Sequence, residues 1–407
     1  MLYRILNVTL GMEIDPPLGP LLLVSFLSTV AFSALWSFVG IWAVSYMHAG
    51  STVIGIMYAL DAAAAATTGY LGGRLSDRIG RRLAIGMSWG AESLASIALA
   101  VSGHHLIFGI VMVVIAGAAS GPGFAATNAM VGDLVPENRH ESGFGTMRVV
   151  TNIGYVAGPP LGGLALIGGH WSVLFLGIAL MGLISASIAF ALLPVDRIIG
   201  TASTNESSNL STLLNDIPFV LLLLSTFTGF VVYVAYEVML PIATVTSYGL
   251  TPTSWGILAM IDPILVVALQ ARITKITSGI STKRKLGGSM VLMGAPFLLL
   301  LIKGSSWSIA LVIALFALGE MIWGPTSQGL AASLAPDSSR GAYMGAFGAS
   351  GSMAWAVGPL VDLHFRSSIG ISAAWAFTAS MGLVGALLGV ASIRAAKQRG
   401  HEMDNVI

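Results

Sequence analysis

The chain has 407 residues, 55% of them hydrophobic and only 9% charged, with a mean hydropathy of +0.86. A soluble domain has no means of keeping that much apolar surface from water, so the composition points to a polytopic membrane protein. The net charge of +1 argues against a nucleic-acid or acidic macromolecular partner, and the absence of cysteine excludes a disulfide framework, thiol catalysis and a Cys-based metal site.

Apolar runs of spanning length predict twelve helices, at 18–44, 52–72, 83–102, 106–130, 143–167, 171–193, 217–240, 253–273, 286–303, 307–331, 342–364 and 371–394. Such runs read as helices because bare backbone amides are too costly in lipid. The first is too long for a signal-peptide core, and the region before it holds Arg4 against Glu13 and Asp15, so it is expected to be a retained first span. The longest polar interruption, 194–216, contains Thr201-Ala202-Ser203-Thr204-Asn205-Glu206-Ser207-Ser208. That is linker chemistry, and it predicts six-helix bundles at 1–193 and 217–407 joined by a cytoplasmic linker. With the N-terminus inside, nearly all of the 19 Lys and Arg fall in cytoplasmic turns; Lys303 and Arg366 fall outside, and Arg148 lies just within a helix. This asymmetry satisfies the positive-inside rule and places both termini in the cytoplasm, with the chain in the cell (inner or plasma) membrane.

The halves resemble each other. Leu134-Val135-Pro136-Glu137 recurs as Leu334-Ala335-Pro336-Asp337, Gly145 falls on Gly345, and Gly158-Pro159 on Gly358-Pro359. At a spacing one residue longer, Gly55-Ile56 falls on Gly256-Ile257 and Asp61 on Asp262. Equal order implies parallel, pseudo-symmetric repeats about an axis along the membrane normal, able to rock around a central site.

Between the second and third spans lies Gly73-Arg74-Leu75-Ser76-Asp77-Arg78-Ile79-Gly80-Arg81-Arg82, a dense run of charge that reads as a tight, water-facing turn. The run fits the pattern Gly-x-Leu-(Ala/Ser)-Asp-Arg-x-Gly-Arg-(Arg/Lys), and on it the chain resembles the major facilitator superfamily. The fifth span carries Gly145-x8-Gly154-x3-Gly158-Pro159-x2-Gly162-Gly163, similar to the pattern of that superfamily's drug:proton antiporters. The resemblance covers nearly the whole chain. It implies that Gly73, Asp77, Arg78, Gly80, Arg81 and Asp133 form a conformational latch, with Asp77 facing the start of the eleventh helix near Gly341 and Ala342 and Arg81 paired with Asp133. A latch worth about 1–3 kcal/mol biases two states without locking one. The glycines of the fifth span are expected to bring it close to a partner, the eighth span in the family, with Pro159 bending it. The family's fourth-span arginine is missing: Ala116-Gly117-Ala118-Ala119-Ser120-Gly121 has none, and Arg148 is the one intrahelical cation available to stand in, or else a snorkelling helix-end residue.

Six carboxylates fall inside apolar runs: Asp61, Glu92, Glu237, Asp262, Glu320 and Asp362. A charged one at the bilayer centre costs roughly 2.5–3.5 kcal/mol, so each should face water or a partner, or stay protonated. The repeat singles out Asp61 and Asp262, mid-span in the second and eighth helices, and Glu320 lies mid-span in the tenth, which lines the cavity in the family. These three are the expected proton-coupling groups. Glu92, on a span peripheral in the family, is expected to face lipid, while Glu237 and Asp362 suit a gate or a contact with Arg366. Glu320, Trp323, Tyr233, Tyr236, Trp36, Phe32 and Asn128 are the expected substrate contacts, since aromatic faces plus a carboxylate suit a lipophilic cation. Phe38, Phe227 and Phe230 on the same helices, and Asn152 on the fifth span, are further candidates.

The histidines lack ligand spacing, so no metal is expected. No phosphate-binding loop or nucleophile–base pair indicates ATP coupling or an enzyme. Together these readings predict an all-α membrane protein that exports small lipophilic, cationic compounds by proton-coupled alternating access. It should act as a monomer among membrane lipid, with a small-molecule substrate, no nucleic acid and no cofactor but the proton. A proton-coupled importer of a small organic nutrient is the first alternative, and a non-transporting receptor or scaffold the second.

Overall fold

A computed structural model describes residues 16–135, 140–194, 213, 215–302, 304–336 and 340–398; the side chains at 16, 73, 74, 77, 140–142 and 340–342 fall outside that description. Most of the expected linker 194–216 lies outside the described residues, as do Pro136, Glu137 and Asp337 of the repeat. No strand occurs among the described residues. The helices are α1 (Gly19–Ser45), α2 (Ser51–Ile79), α3 (Arg81–Ala100), α4 (Leu106–Leu134), α5 (His140–Ala165) and α6 (Trp171–Leu192). They continue with α7 (Ile217–Thr246), α8 (Pro252–Thr277), α9 (Thr282–Leu301), α10 (Ser306–Leu334), α11 (Arg340–Ser368) and α12 (Ile371–Gln398). Ten of these, all but α5 and α11, are long and apolar enough to cross a membrane. Those two carry the glycine-rich runs with Pro159, Pro160 and Pro359.

Two helices depart from regular geometry. α7 widens into a π-helical turn over Ala235–Met239, where the Leu240 N–H bonds to the Ala235 carbonyl. Pro241 follows directly: it has no N–H to offer the Glu237 carbonyl, so a regular turn there would leave that group unmatched. α8 is interrupted between Leu258 and Ile261. Pro263 accounts for the break, because it supplies no donor to the carbonyl four residues earlier and its ring crowds that turn. Asp262, expected mid-helix, therefore sits in the first turn of a new helical segment.

The described residues of Met1–Ala49, Leu60–Ser203 and Pro252–Met260 form one compact unit, and those of Gly50–Ala59, Thr204–Thr251 and Ile261–Ile407 form a second. The division differs from a cut at the linker by the exchange of two short helical stretches. In the first unit, Gly256 packs on the Pro159 carbonyl; in the second, Gly55 packs on Leu360.

In the first unit α3 packs between α4 and α6, and α1 between α5 and α6. Leu21, Ile85, Trp89, Met130, Val131 and Ala189 build its core. The turn from α2 to α3 depends on Gly80, whose φ of +97° lies in the left-handed region that side chains avoid. In the second unit α7 packs on α11 and α12, α9 on α10 and α12, and α8 on α10. Gly294 and Gly382 bring α9 and α12 to backbone contact, an approach that in lipid gains dispersion where no hydrophobic force acts between helices. Asp216 caps α7 by accepting from the Phe219 N–H at 3.2 Å, and Tyr343 donates to its other oxygen at 2.9 Å, which ties α11 to the start of α7. Large apolar side chains such as Ile107, Leu164, Leu180, Ile302 and Trp307 stand exposed, as lipid contact requires.

Candidate functional site

In the first unit Asp61 of α2 and Glu92 of α3 line one small cavity together with Phe32 and Trp36 of α1 and Gly117 and Ser120 of α4. The cavity has room for roughly one water. Asp61 is 2% exposed and Glu92 3%. The bare Cα of Gly117 is what admits the Asp61 carboxyl, since a Cβ there would collide with Oδ1. Ser120 spends its hydroxyl proton on the Gly117 carbonyl at 2.9 Å. Phe32 meets Trp36 at 5.7 Å between ring centroids and stands edge-on to Phe124 at 5.3 Å. Burial corrects the expectation that Glu92 faces lipid: α3 is packed between α4 and α6, and Glu92 points to the α4 side. A position on a peripheral helix does not settle which way one side chain faces.

The second unit builds a different site on α7. Tyr233, Tyr236 and Glu237 stand at i, i+3 and i+4, hence on one face, with the π turn beneath the latter two. Tyr233 lies within electrostatic reach of Glu320, Glu237 and Asp262, and so does Tyr236. Three carboxyl groups and two phenols from α7, α8 and α10 thus share one neighbourhood. The Tyr236 ring stacks on Phe316 at 4.5 Å, while Tyr233 approaches Phe316 at 5.6 Å and Trp355 at 6.4 Å. Trp323 is T-shaped to Phe230 at 5.0 Å, its ring held against the bare Cα of Gly229. Trp323 is buried and its indole N–H has no hydrogen-bond partner among the described residues; one Asp262 oxygen is buried in the same condition. Aromatic faces set beside carboxyl groups are what a flat organic cation needs.

Phe316 and Trp355 belong to this wall although the sequence reading passed over them, and the spacing of apolar residues along a span carries no signal that picks them out. Pro325 did carry a signal. Its missing N–H frees the Met321 carbonyl four residues back, and Gln270 of α8 donates to that oxygen at 3.0 Å. The second half of α8 is tied to α10 beside Glu320.

The remaining expected residues lie elsewhere. Asn128 is exposed and donates to the Phe124 carbonyl of its own helix at 3.1 Å. Arg148 is exposed on α5. At the α2–α3 turn, Arg81 Nε stands 3.2 Å from Asp133 Oδ2 and its NH1 donates to Ser76 Oγ at 2.6 Å; Arg78 is exposed. The side-chain placements at Gly73, Asp77, Gly341 and Ala342 lie outside the description. On α5, Gly154 and Gly158 pack on α1 at Thr29 and Ser33, and Gly162 on Phe38 and Leu174. Gly163 meets the start of α8 at Thr253, which donates to its carbonyl at 2.9 Å, while Gly145 meets nothing close. The glycine face therefore serves α1 first, with only its end and the Pro159 carbonyl given to α8. The expected Asp362–Arg366 contact is absent: Arg366 donates to Thr246 at 2.7 Å, and both Asp362 oxygens are buried without a hydrogen-bond partner.

Comparison with known proteins places this arrangement. Residues 21–359 match the family model described as Major Facilitator Superfamily. The MFS-type transporter YttB of Bacillus subtilis (strain 168) is 26% identical over 82% of this chain and 84% of its own length. Multidrug resistance protein MdtH of Proteus mirabilis is 26% identical over 80% of each chain. Quinolone resistance protein NorA of Staphylococcus aureus matches at 27% identity over 27% of this chain and 28% of its own. Among solved structures, a POT family transporter in complex with 5-aminolevulinic acid superposes with a TM-score of 0.78 at 16% identity, over 94% of this chain and 96% of that one. The nucleoside transporter NupG does so at 0.77 and 13%, over 92% and 98%. At such identities the structures speak for the fold alone. The matched proteins are transporters, not enzymes, and this chain belongs to the major facilitator superfamily.

Proposed function

We propose that the chain is a proton-coupled antiporter that exports small lipophilic cations across the cell membrane by alternating access, as a monomer of twelve spans with both termini cytoplasmic. The observation that carries this reading is the α7 site of the second unit, where Tyr233 and Tyr236 lie within electrostatic reach of Glu237, Asp262 and Glu320 and Trp323 joins the same aromatic wall through Phe230. The names of the relatives MdtH and NorA, a multidrug and a quinolone resistance protein, support export of small organic compounds.

The proposed cycle uses one set of acids for two ligands. A cation from the cytoplasm settles on the aromatic wall against ionised Glu320; a proton arriving from outside neutralises the acid and releases the cation outward. The protonated carrier reorients and discharges inward. Asp61 in the first repeat and Asp262 in the second are the further coupling groups, bundles 1–193 and 217–407 the moving halves, and the α2–α3 turn with Asp77, Arg81 and Asp133 the latch on the outward-open state. A membrane potential of about 100 mV supplies ~2.3 kcal/mol per charge. One pH unit supplies roughly 1.4 kcal/mol per proton. For one-for-one exchange with a monovalent cation the charge contribution cancels, so the pH gradient alone drives export.

Acid-loaded everted vesicles test the direction. Tetraphenylphosphonium added outside should enter the lumen while protons leave it, seen as dequenching of a pH dye only when the transporter is present. Cation and proton crossing in the same direction would overturn antiport in favour of an importer, and no coupled movement of either would favour a receptor or scaffold.

A further inference from the structure

Glu92 has no part in the cycle above, yet it is as deeply buried as Asp61 in the first unit's cavity. Its Oε2 atom is buried without a hydrogen-bond partner, and the only other acid on the wall is Asp61. We infer that Asp61 and Glu92 form a carboxyl pair that binds one proton between them across this cavity, directly or through one water, so that the first unit holds a proton site of its own.

The surroundings favour a proton over a metal cation. Of the cavity's side chains only Asp61, Glu92 and Ser120 carry oxygen, and Ser120 is engaged with the Gly117 carbonyl. The rest of the wall is aromatic or aliphatic, whereas a hard cation requires six or so oxygen ligands, or several of its own waters. Two carboxylates in one apolar enclosure cannot both ionise without strong mutual repulsion, and one neutral carboxyl donating to one carboxylate relieves it. A second proton from water gives two neutral carboxyls, and its loss returns the shared monoanion.

Among the described residues no other charge on the packed elements neutralises the pair; on α2, Arg78 is exposed more than four turns beyond Asp61. α6, which packs along α3, has no titratable side chain between Trp171 and Leu192. On α4, Asp133 is paired with Arg81, and on α5, Arg148 and Tyr155 are exposed. Arg81 and Arg82 begin α3 about three turns before Glu92, and Tyr58, buried, precedes Asp61 by one turn on α2. Gly117 acts as a positioning residue, because its missing Cβ is what lets Asp61 reach the cavity.

This site stands on the first unit alone and does not depend on the direction of transport or on the α7 site. It is tested on the purified full chain in lipid nanodiscs by infrared difference spectroscopy of the carboxylic C=O stretch against pH. The Asp61→Asn/Glu92→Gln double variant is subtracted from wild type and from each single variant, which cancels the other buried acids. The difference should show two deprotonation steps, separated by about one pH unit or more as expected of a coupled pair. Each single variant should retain one step, and Gly117→Ala, which keeps both acids, should shift the stretch. A Glu92→Gln spectrum that keeps both steps, or two wild-type steps that coincide, overturns the pair. Movement of the steps when sodium replaces choline overturns the proton assignment in favour of a metal cation. Should Glu92→Gln fail to elute as folded protein, Asp61→Asn supplies the same subtraction from the other side.

Discussion

Gln270 Nε2 donates to the carbonyl oxygen of Met321 at 3.0 Å, filling the place of the N–H that Pro325 lacks. Two helices that each bring a carboxyl group to the α7 site, α8 with Asp262 and α10 with Glu320, are thereby fastened through one side chain. Gln270→Leu keeps the volume and orphans the carbonyl. The cost should be about 1 kcal/mol, between the ~0.6 average of membrane side-chain bonds and the ~1–3 of a buried unpaired group. Intrinsic tryptophan fluorescence melting in detergent reads it, with Thr274→Val as the neighbouring control. A melting temperature lowered no more than in that control would show that Gln270 is not what satisfies Met321.

Trp323 rests on the space left by Gly229, where a Cβ would meet the indole at 2.6 Å. Gly229→Ala should displace the ring and weaken binding of a lipophilic cation several-fold with little loss of stability. Equilibrium quenching by tetraphenylphosphonium measures the affinity, and Trp323→Phe, which keeps an aromatic face, should restore part of it in the Gly229→Ala background. Equal affinity in wild type and Gly229→Ala would remove Trp323 from the wall.

Glu320→Gln keeps the shape of the side chain and removes its titration. Resistance of cells to lipophilic cations should fall to that of the empty vector at normal expression, while Glu237→Gln should reduce it less. Full resistance in Glu320→Gln would transfer the coupling role to Asp262, the other acid brought to the same place by α8.

The positions of the helices were legible because lipid enforces them: each apolar run of spanning length must satisfy its own backbone. What such runs conceal is rotation. Glu92 lies on a helix of ordinary apolar composition, and nothing along the chain shows that its side chain turns toward α4 and not toward lipid. Trp355 and Phe316 were overlooked for the same reason. Breaks inside helices were half legible. Pro241 and Pro263 each announce a missing donor, but whether a helix answers with a π turn, as over Ala235–Met239, or with an interruption, as before Ile261, depends on what packs beside it. The glycines of α5 were read as a face for α8, yet most of them serve α1, since glycine spacing records closeness without naming the neighbour.

The Arg81–Asp133 pair is partly exposed, with side-chain accessibilities of 18% and 37%, so it should contribute only ~0.2–1 kcal/mol. Arg81 also reaches Ser76, and its planar fork serves both partners at once. Arg81→Lys should therefore lose nearly as much as Arg81→Ala, and raising the salt concentration should shrink the Asp133→Asn effect. Melting temperatures at low and high salt check both. For the latch, spin-label distances across the cytoplasmic face should show Asp77→Asn populating the inward-open form; an unchanged distribution would sink that role.

The wide turn of α7 stores one residue more than a regular helix needs. Handing that residue back along the rod swings the side chains it passes by roughly 100°, while the hydrogen bonds on either side stay made. Pro241, with no N–H for the Glu237 carbonyl, sets the C-terminal edge of that turn, so the extra residue lies among Tyr236 and Glu237. Tyr236 and Glu237 are thereby held at angles that an unbroken rod would not give them.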